Sequence, residues 1–161
     1  MDMKRLSNTQ KLTISGAVIA IYVVVMYFTQ SFAFGQYQVR IATALYGVAY
    51  LFPFLVVPLG LSNLLSNLLM GGLGIFDILG GTVVGMLASG CCALLGKKGI
   101  THWAVVAPIT LIPALMVPIW LSMLLGVPYL ALVSSLLVGQ FISGIVGALL
   151  VKALGNIWKE R

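Results

Sequence analysis

The sequence predicts an all-α membrane protein of six transmembrane helices with both termini on the cytoplasmic face. Three observations lead there. Of the 161 residues, 61% are apolar and only 7% are charged, with a mean hydropathy of +1.13; a water-soluble domain of this length needs far more charge on its surface. Apolar stretches of near-spanning length recur along the chain, separated by Gly, Pro or Lys. The basic residues fall in clusters: Lys4, Arg5 and Lys11 at the start, Lys97 and Lys98 after the fourth stretch, and Lys152, Lys159 and Arg161 at the end. Six crossings put all of these on one face, which the positive-inside rule makes the cytoplasm, whereas five or seven would scatter them. So strong an asymmetry also argues against a dual-topology multidrug pump. The net charge of +6 is thereby a topology signal, and no basic-aromatic surface marks a nucleic-acid site.

Span one covers about 12–29. The triplet Ser31-Phe32-Ala33 makes a passable signal-peptidase site, but the apolar run before it is longer than a signal core, so the helix is expected to be retained. Gly16 and Ala20 have the small-xxx-small spacing that lets another helix approach, in this chain or in a partner. Residues 30–37, rich in Gln and aromatics, are expected to form a loop or lid at the membrane surface.

Span two, about 39–52, reads QVRIATALYGVAY before Pro53 interrupts it. Arg40, Thr43 and Gly47 at i, i+3 and i+7 form a polar stripe on an α-helix. Two roles suit Arg40: snorkelling to the headgroups, or facing a pocket. Span three, about 54–70, has Pro58 in its first turns and Asn63, Ser66 and Asn67 on one face. Asn63 is expected to hydrogen-bond a neighbouring helix; Asn67, beside a glycine break, is a site candidate.

The segment LSNLLSNLLMGGLGIFDILGG, Leu61 to Gly81, is the centre of the chain. Gly71, Gly72 and Gly74 break the helix and Asp77 follows. A bilayer penalises both broken backbone and unpaired polar groups, so their coincidence predicts a protein-lined pocket for a small molecule. Span four, about 75–95, repeats Gly81, Gly85 and Ser89 as a packing stripe. Asp77 would cost a few kcal/mol facing lipid. Arg40 and Asp77 are the charges that neither the termini nor the Lys97-Lys98 loop explains. At about 4 Å and an effective dielectric of 20 such a pair is worth roughly 4 kcal/mol. They are either a structural salt bridge or two ends of an outward-facing cavity; the nearby amides and glycine turn favour the cavity.

Adjacent Cys91 and Cys92 suit neither a disulfide nor, with one histidine, a metal set, and are assigned to packing. His102 beside Trp103 reads as an interfacial anchor. Span five, about 105–125, carries Pro108, Pro113 and Pro118, which either kink the helix and open space beside it or are simply tolerated in a membrane. A tight turn at Gly126 to Pro128 leads to span six, about 129–150, where Gly139, Ser143 and Gly147 form another small-residue stripe and Gln140 faces either helices or a ligand.

At QVRIATALY and SNLLSNLLMGGLGIFDILGG the chain resembles the QueT family of queuosine-precursor transporters, substrate-binding S components of energy-coupling factor (ECF) transporters. The resemblance is closest over Gly16 to Gly85. It implies an S-component-like six-helix bundle with an outward-facing site capped by the loop between spans one and two. Gly16 and Ala20 would then stand in the face that docks on a transmembrane coupling subunit, with ATP hydrolysis left to two separate ATPase subunits and no cofactor in this chain. No Walker loop is present, in keeping with that division. Relatives commonly carry a glutamate in a SEAL motif where this chain has Ala42-Thr43-Ala44-Leu45, and a second after a glycine where it has Gly139-Gln140. Losing two acids weakens recognition of an aminomethyl cation more than of a neutral base, so the expected ligand is a neutral 7-deazapurine or related flat heterocycle.

The expected site is Arg40, Thr43, Asn67, Asp77, Gln140 and Tyr37. A guanine-like base offers N–H donors to the Asp77 carboxylate and a carbonyl and ring nitrogens to the amides of Asn67 and Gln140. Phe32, Phe34, Tyr37 and Tyr46 are candidate stacking partners. Rival readings are an S component for another vitamin and a purely structural subunit. A membrane enzyme is disfavoured, since the chain has no second histidine, no paired acids and no nucleophile-base set.

Overall fold

The computed structural model describes residues 6–33, 39–70 and 72–159. Among these every regular element is helical: α1 (Asn8–Ala33), α2 (Val56–Met70), α3 (Ile75–Lys97), α4 (Val106–Leu125) and α5 (Tyr129–Lys159), with a 3-10 helix over Ile41–Tyr50 and short 3-10 turns leading into α2 and α4. Five of the segments are long and apolar enough to cross a membrane.

The ends follow local chemistry. Ser7 and Gln10 form a reciprocal capping box at the start of α1: Gln10 N–H donates to Ser7 Oγ at 3.2 Å and Ser7 N–H to Gln10 Oε1 at 2.9 Å. Gly126, at φ +64°, closes α4 in the left-handed conformation that glycine adopts without strain. α5 runs to Lys159, well past the expected end near residue 150.

The expected second span is the segment that departs most from expectation. It is not a long α-helix but a ten-residue 3-10 helix, with three residues per turn and about 2.0 Å rise. It packs against all five α-helices and most of its residues are buried. Its start lies beside Asn67, which Arg40 contacts; its end lies beside the α3–α4 connection, where the Tyr50 hydroxyl donates to the Ile100 carbonyl. The segment, about 20 Å long at that rise, therefore runs alongside part of α3, with its end against Gly96.

Two apolar clusters flank the middle of the bundle. One gathers Tyr22, Met26, Tyr46, Leu55, Leu59 and Ile109, with Cys92 packed into it. The other holds Val84, Val117, Leu132 and Leu136.

Candidate functional site

A small cavity lies between the clusters, walled by Arg40, Thr43 and Tyr46 from the 3-10 helix, Asn63 from α2, Asp77, Gly81 and Val84 from α3, Pro113 and Val117 from α4, and Leu136 and Gln140 from α5. The winding of the 3-10 helix explains its first wall. At three residues per turn Arg40, Thr43 and Tyr46 share a face. Gly47, placed on that stripe by an α-helical reading, instead turns to α5, where a Cβ would stand 3.2 Å from the Gly147 carbonyl oxygen. On α4 and α5 ordinary α-helical spacing applies: Pro113 and Val117 lie at i and i+4, as do Leu136 and Gln140.

Asp77 is 6% and Arg40 8% exposed, so neither faces lipid. Asn67 links them. Its Oδ1 accepts from the Arg40 guanidinium at 2.7 Å, and its Nδ2 donates to the Asp77 backbone carbonyl at 3.1 Å. The glycine break is tied to the same two residues. Gly72 N–H donates to the Asn67 carbonyl at 2.7 Å, Leu73 N–H donates to Asp77 Oδ2 at 3.2 Å, and Gly74, at φ +94°, supplies the backbone turn that starts α3. The Asp77 carboxylate, in the first turn of α3 where the macrodipole favours negative charge, thus reaches back to the backbone of the glycine break. Its Oδ1 accepts from Trp120 Nε1–H at 3.1 Å. These two bonds occupy half of the roughly four acceptor positions of a carboxylate.

Across the cavity, Thr43 Oγ1 and Gln140 Oε1 are 2.8 Å apart, and Thr43 Oγ1 is 2.7 Å from the Arg40 carbonyl. Ser143 Oγ also donates to that carbonyl, at 3.0 Å, so α5 holds the start of the 3-10 helix in place. Thr43 and Gln140 are therefore in direct contact. With two neutral side chains the wall bears no charge. The cavity has room for about one water molecule.

Of the residues expected from the sequence, Arg40, Thr43, Asp77 and Gln140 line one cavity. Asn67 stands directly behind it, fully buried, as the link between Arg40 and Asp77. Tyr37, and with it Phe34, lies outside the described residues. Sequence reasoning missed Asn63 as a cavity residue and Trp120 altogether. Trp120 continues the α4 stripe of Pro113 and Val117, and that spacing was the available signal. Gly80 and Gly81 make the packing feasible: a Cβ on Gly80 would stand 2.9 Å from the Trp120 ring, and one on Gly81 would stand 2.8 Å from Asn67 Nδ2 and 2.9 Å from Asn63 Oδ1.

Gly16 and Ala20 are exposed on the outer face of α1, and nothing lies within 4 Å of a Cβ built on Gly16. The opposite face of that helix, through Ile14, Val18, Tyr22 and Met26, packs on the core.

The family model described as QueT transporter matches residues 12–156, most of the chain. No curated protein and no solved structure matches it.

Proposed function

The chain belongs to the QueT transporter family, and from that premise we propose that it is the substrate-binding S component of an ECF-type importer, capturing a neutral 7-deazaguanine-like queuosine precursor at the outer face of the membrane. The observation that carries this reading is the convergence of Arg40, Thr43, Asp77 and Gln140, from widely separated parts of the chain, on one buried cavity. The cavity pairs a donor, Arg40, with an acceptor, Asp77, across an uncharged wall. That arrangement suits a flat base carrying both a carbonyl and N–H groups better than it suits a cation.

A bicyclic base needs more space than one water, so binding parts the walls. The Trp120–Asp77 and Thr43–Gln140 hydrogen bonds are the ones a ligand would replace with its own. In this reading the 3-10 helix is the second of six crossings. It supports that count by running beside α3 from the Asn67 end to the Ile100 end, and an even number of crossings returns both termini to the cytoplasm. The open face of α1 around Gly16 and Ala20 is where the transmembrane coupling subunit docks, with two ATPase subunits supplying the energy.

Calorimetric titration of the purified protein with 7-deazaguanines, flavin, thiamine, biotin and folate tests the assignment. Tight, saturable binding of a neutral deazaguanine is the expected result. Tight binding of a vitamin from another group instead overturns the substrate, and no binding by any compound favours a structural subunit.

A further inference from the structure

The cavity contains one further acceptor. Asn63 is 2% exposed and lines the cavity beside Arg40, Asp77 and Gln140. Its Nδ2 donates to the Tyr46 hydroxyl at 2.7 Å, and that hydroxyl lies 3.1 Å from the Tyr22 hydroxyl. These contacts fix the plane of the amide. Its carbonyl oxygen, Oδ1, has no hydrogen-bond partner among the described residues. α3 offers no side chain to cover it, because Gly81 stands opposite: a Cβ there would be 2.9 Å from Asn63 Oδ1 and 2.8 Å from Asn67 Nδ2. Joining α2 to Tyr46 requires only the nitrogen end of this side chain. The amide therefore leaves a second polar atom buried at a cost in stability.

We propose that Asn63 is a specificity-determining residue whose Oδ1 accepts an N–H from the bound heterocycle, an inference that rests on reading this cavity as the substrate site. Two acceptors, Asn63 Oδ1 and the Asp77 carboxylate, flank Gly81, with Arg40 as a donor in the same cavity. Neighbouring N–H groups on one edge of a planar base match the two acceptors, and a carbonyl on another edge matches Arg40. A ligand that lacks the N–H opposite Asn63 strands its oxygen in the closed site, and a site built around a hydrogen bond discriminates strongly against such a ligand.

The test titrates purified wild type and Asn63→Leu with 7-deazaguanine and with 7-deazahypoxanthine, which lacks the exocyclic amino group, and compares the Tm of the two unliganded proteins. Asn63→Leu is expected to weaken 7-deazaguanine binding roughly tenfold, the worth of one hydrogen bond to a buried partner, with Tm unchanged or raised. A loss confined to 7-deazaguanine assigns the exocyclic N–H, and a loss common to both assigns a ring N–H; either supports the inference. Should the leucine variant fail to accumulate, Asn63→Ser is expected to show a similar loss. Unchanged 7-deazaguanine affinity overturns the inference and leaves the substrate reading standing. If wild type binds neither base, the substrate reading fails and Tm decides. A fall of several degrees makes Asn63 a strut between helices and overturns the inference; an unchanged or higher Tm supports an oxygen kept for some other N–H donor.

Discussion

The inner face of α3 and the outer face of α1 are both built on small residues at four-residue spacing, yet they meet different surroundings. On α3, Gly81 makes room for the amides of Asn63 and Asn67, and Gly85 for the Tyr46 hydroxyl, 3.1 Å from where a Cβ would stand. On α1, Gly16 and Ala20 face outward with Ile21 and Val24 exposed beside them. Small residues let something come close. What comes close differs: on α3 it is polar side chains already in place, whereas on α1 nothing among the described residues approaches Gly16. The two stripes look alike as sequence, and only the fold separates them.

The largest effect should come from the head of the inner face. Asp77→Asn removes the charged acceptor of the proposed site and sets an NH2 against either Leu73 N–H or Trp120 Nε1–H, both of which now donate to the carboxylate. Deazaguanine affinity, read by calorimetry, is expected to fall at least about a hundredfold, since hydrogen bonds to a charged group are the strong ones. The Tm should fall only modestly. Full affinity in this variant would reduce Asp77 to a cap on the glycine turn.

A smaller effect is expected one turn along. Gly81→Ala places a Cβ within 3 Å of both amides, and Asn67 cannot retreat without loosening its 2.7 Å bond to Arg40. Overpacking of this kind costs about 1–3 kcal/mol, visible as a lower Tm in detergent, and the displaced amides should weaken binding in parallel. A silent Gly81→Ala would mean that the inner stripe is as open as the outer one, and the comparison would lose its basis.

The parts of this arrangement that the sequence revealed are those where physics leaves little choice. Arg40, Thr43, Asp77 and Gln140 stand out because polar groups are expensive in apolar segments, and the glycine break because a bilayer does not tolerate exposed backbone. Hydropathy likewise located the long helices. The path of Ile41–Tyr50 was hidden, because its local sequence fits an α-helix equally well. Its 3-10 winding goes with a course from Asn67 to Ile100 in few residues, and that distance is a property of the assembled bundle. The error propagated: a 3.6-residue period put Gly47 on the cavity face and left Tyr46 as a stacking candidate only. Trp120 was overlooked for a different reason: its spacing to Pro113 and Val117 alone sets it apart from an aromatic that faces lipid.

The smallest effect on the isolated protein is expected at Gly16, where the contrast between the stripes is sharpest. A Cβ there has open space around it, and α1 is a continuous helix from Asn8 to Ala33 in which leucine is a better helix former than glycine. Purified Gly16→Leu should therefore keep wild-type Tm and deazaguanine affinity, with stability changing by no more than about 1 kcal/mol in the favourable direction. Uptake in cells that carry the coupling and ATPase subunits should nevertheless fail, because the added side chain fills the approach that Gly16 leaves open to the proposed coupling subunit. Normal uptake would show that no partner helix comes within side-chain distance of Gly16. Lost binding would show instead that α1 and the cavity are coupled through Tyr22, which sits on the opposite face of α1 and reaches the Tyr46 hydroxyl.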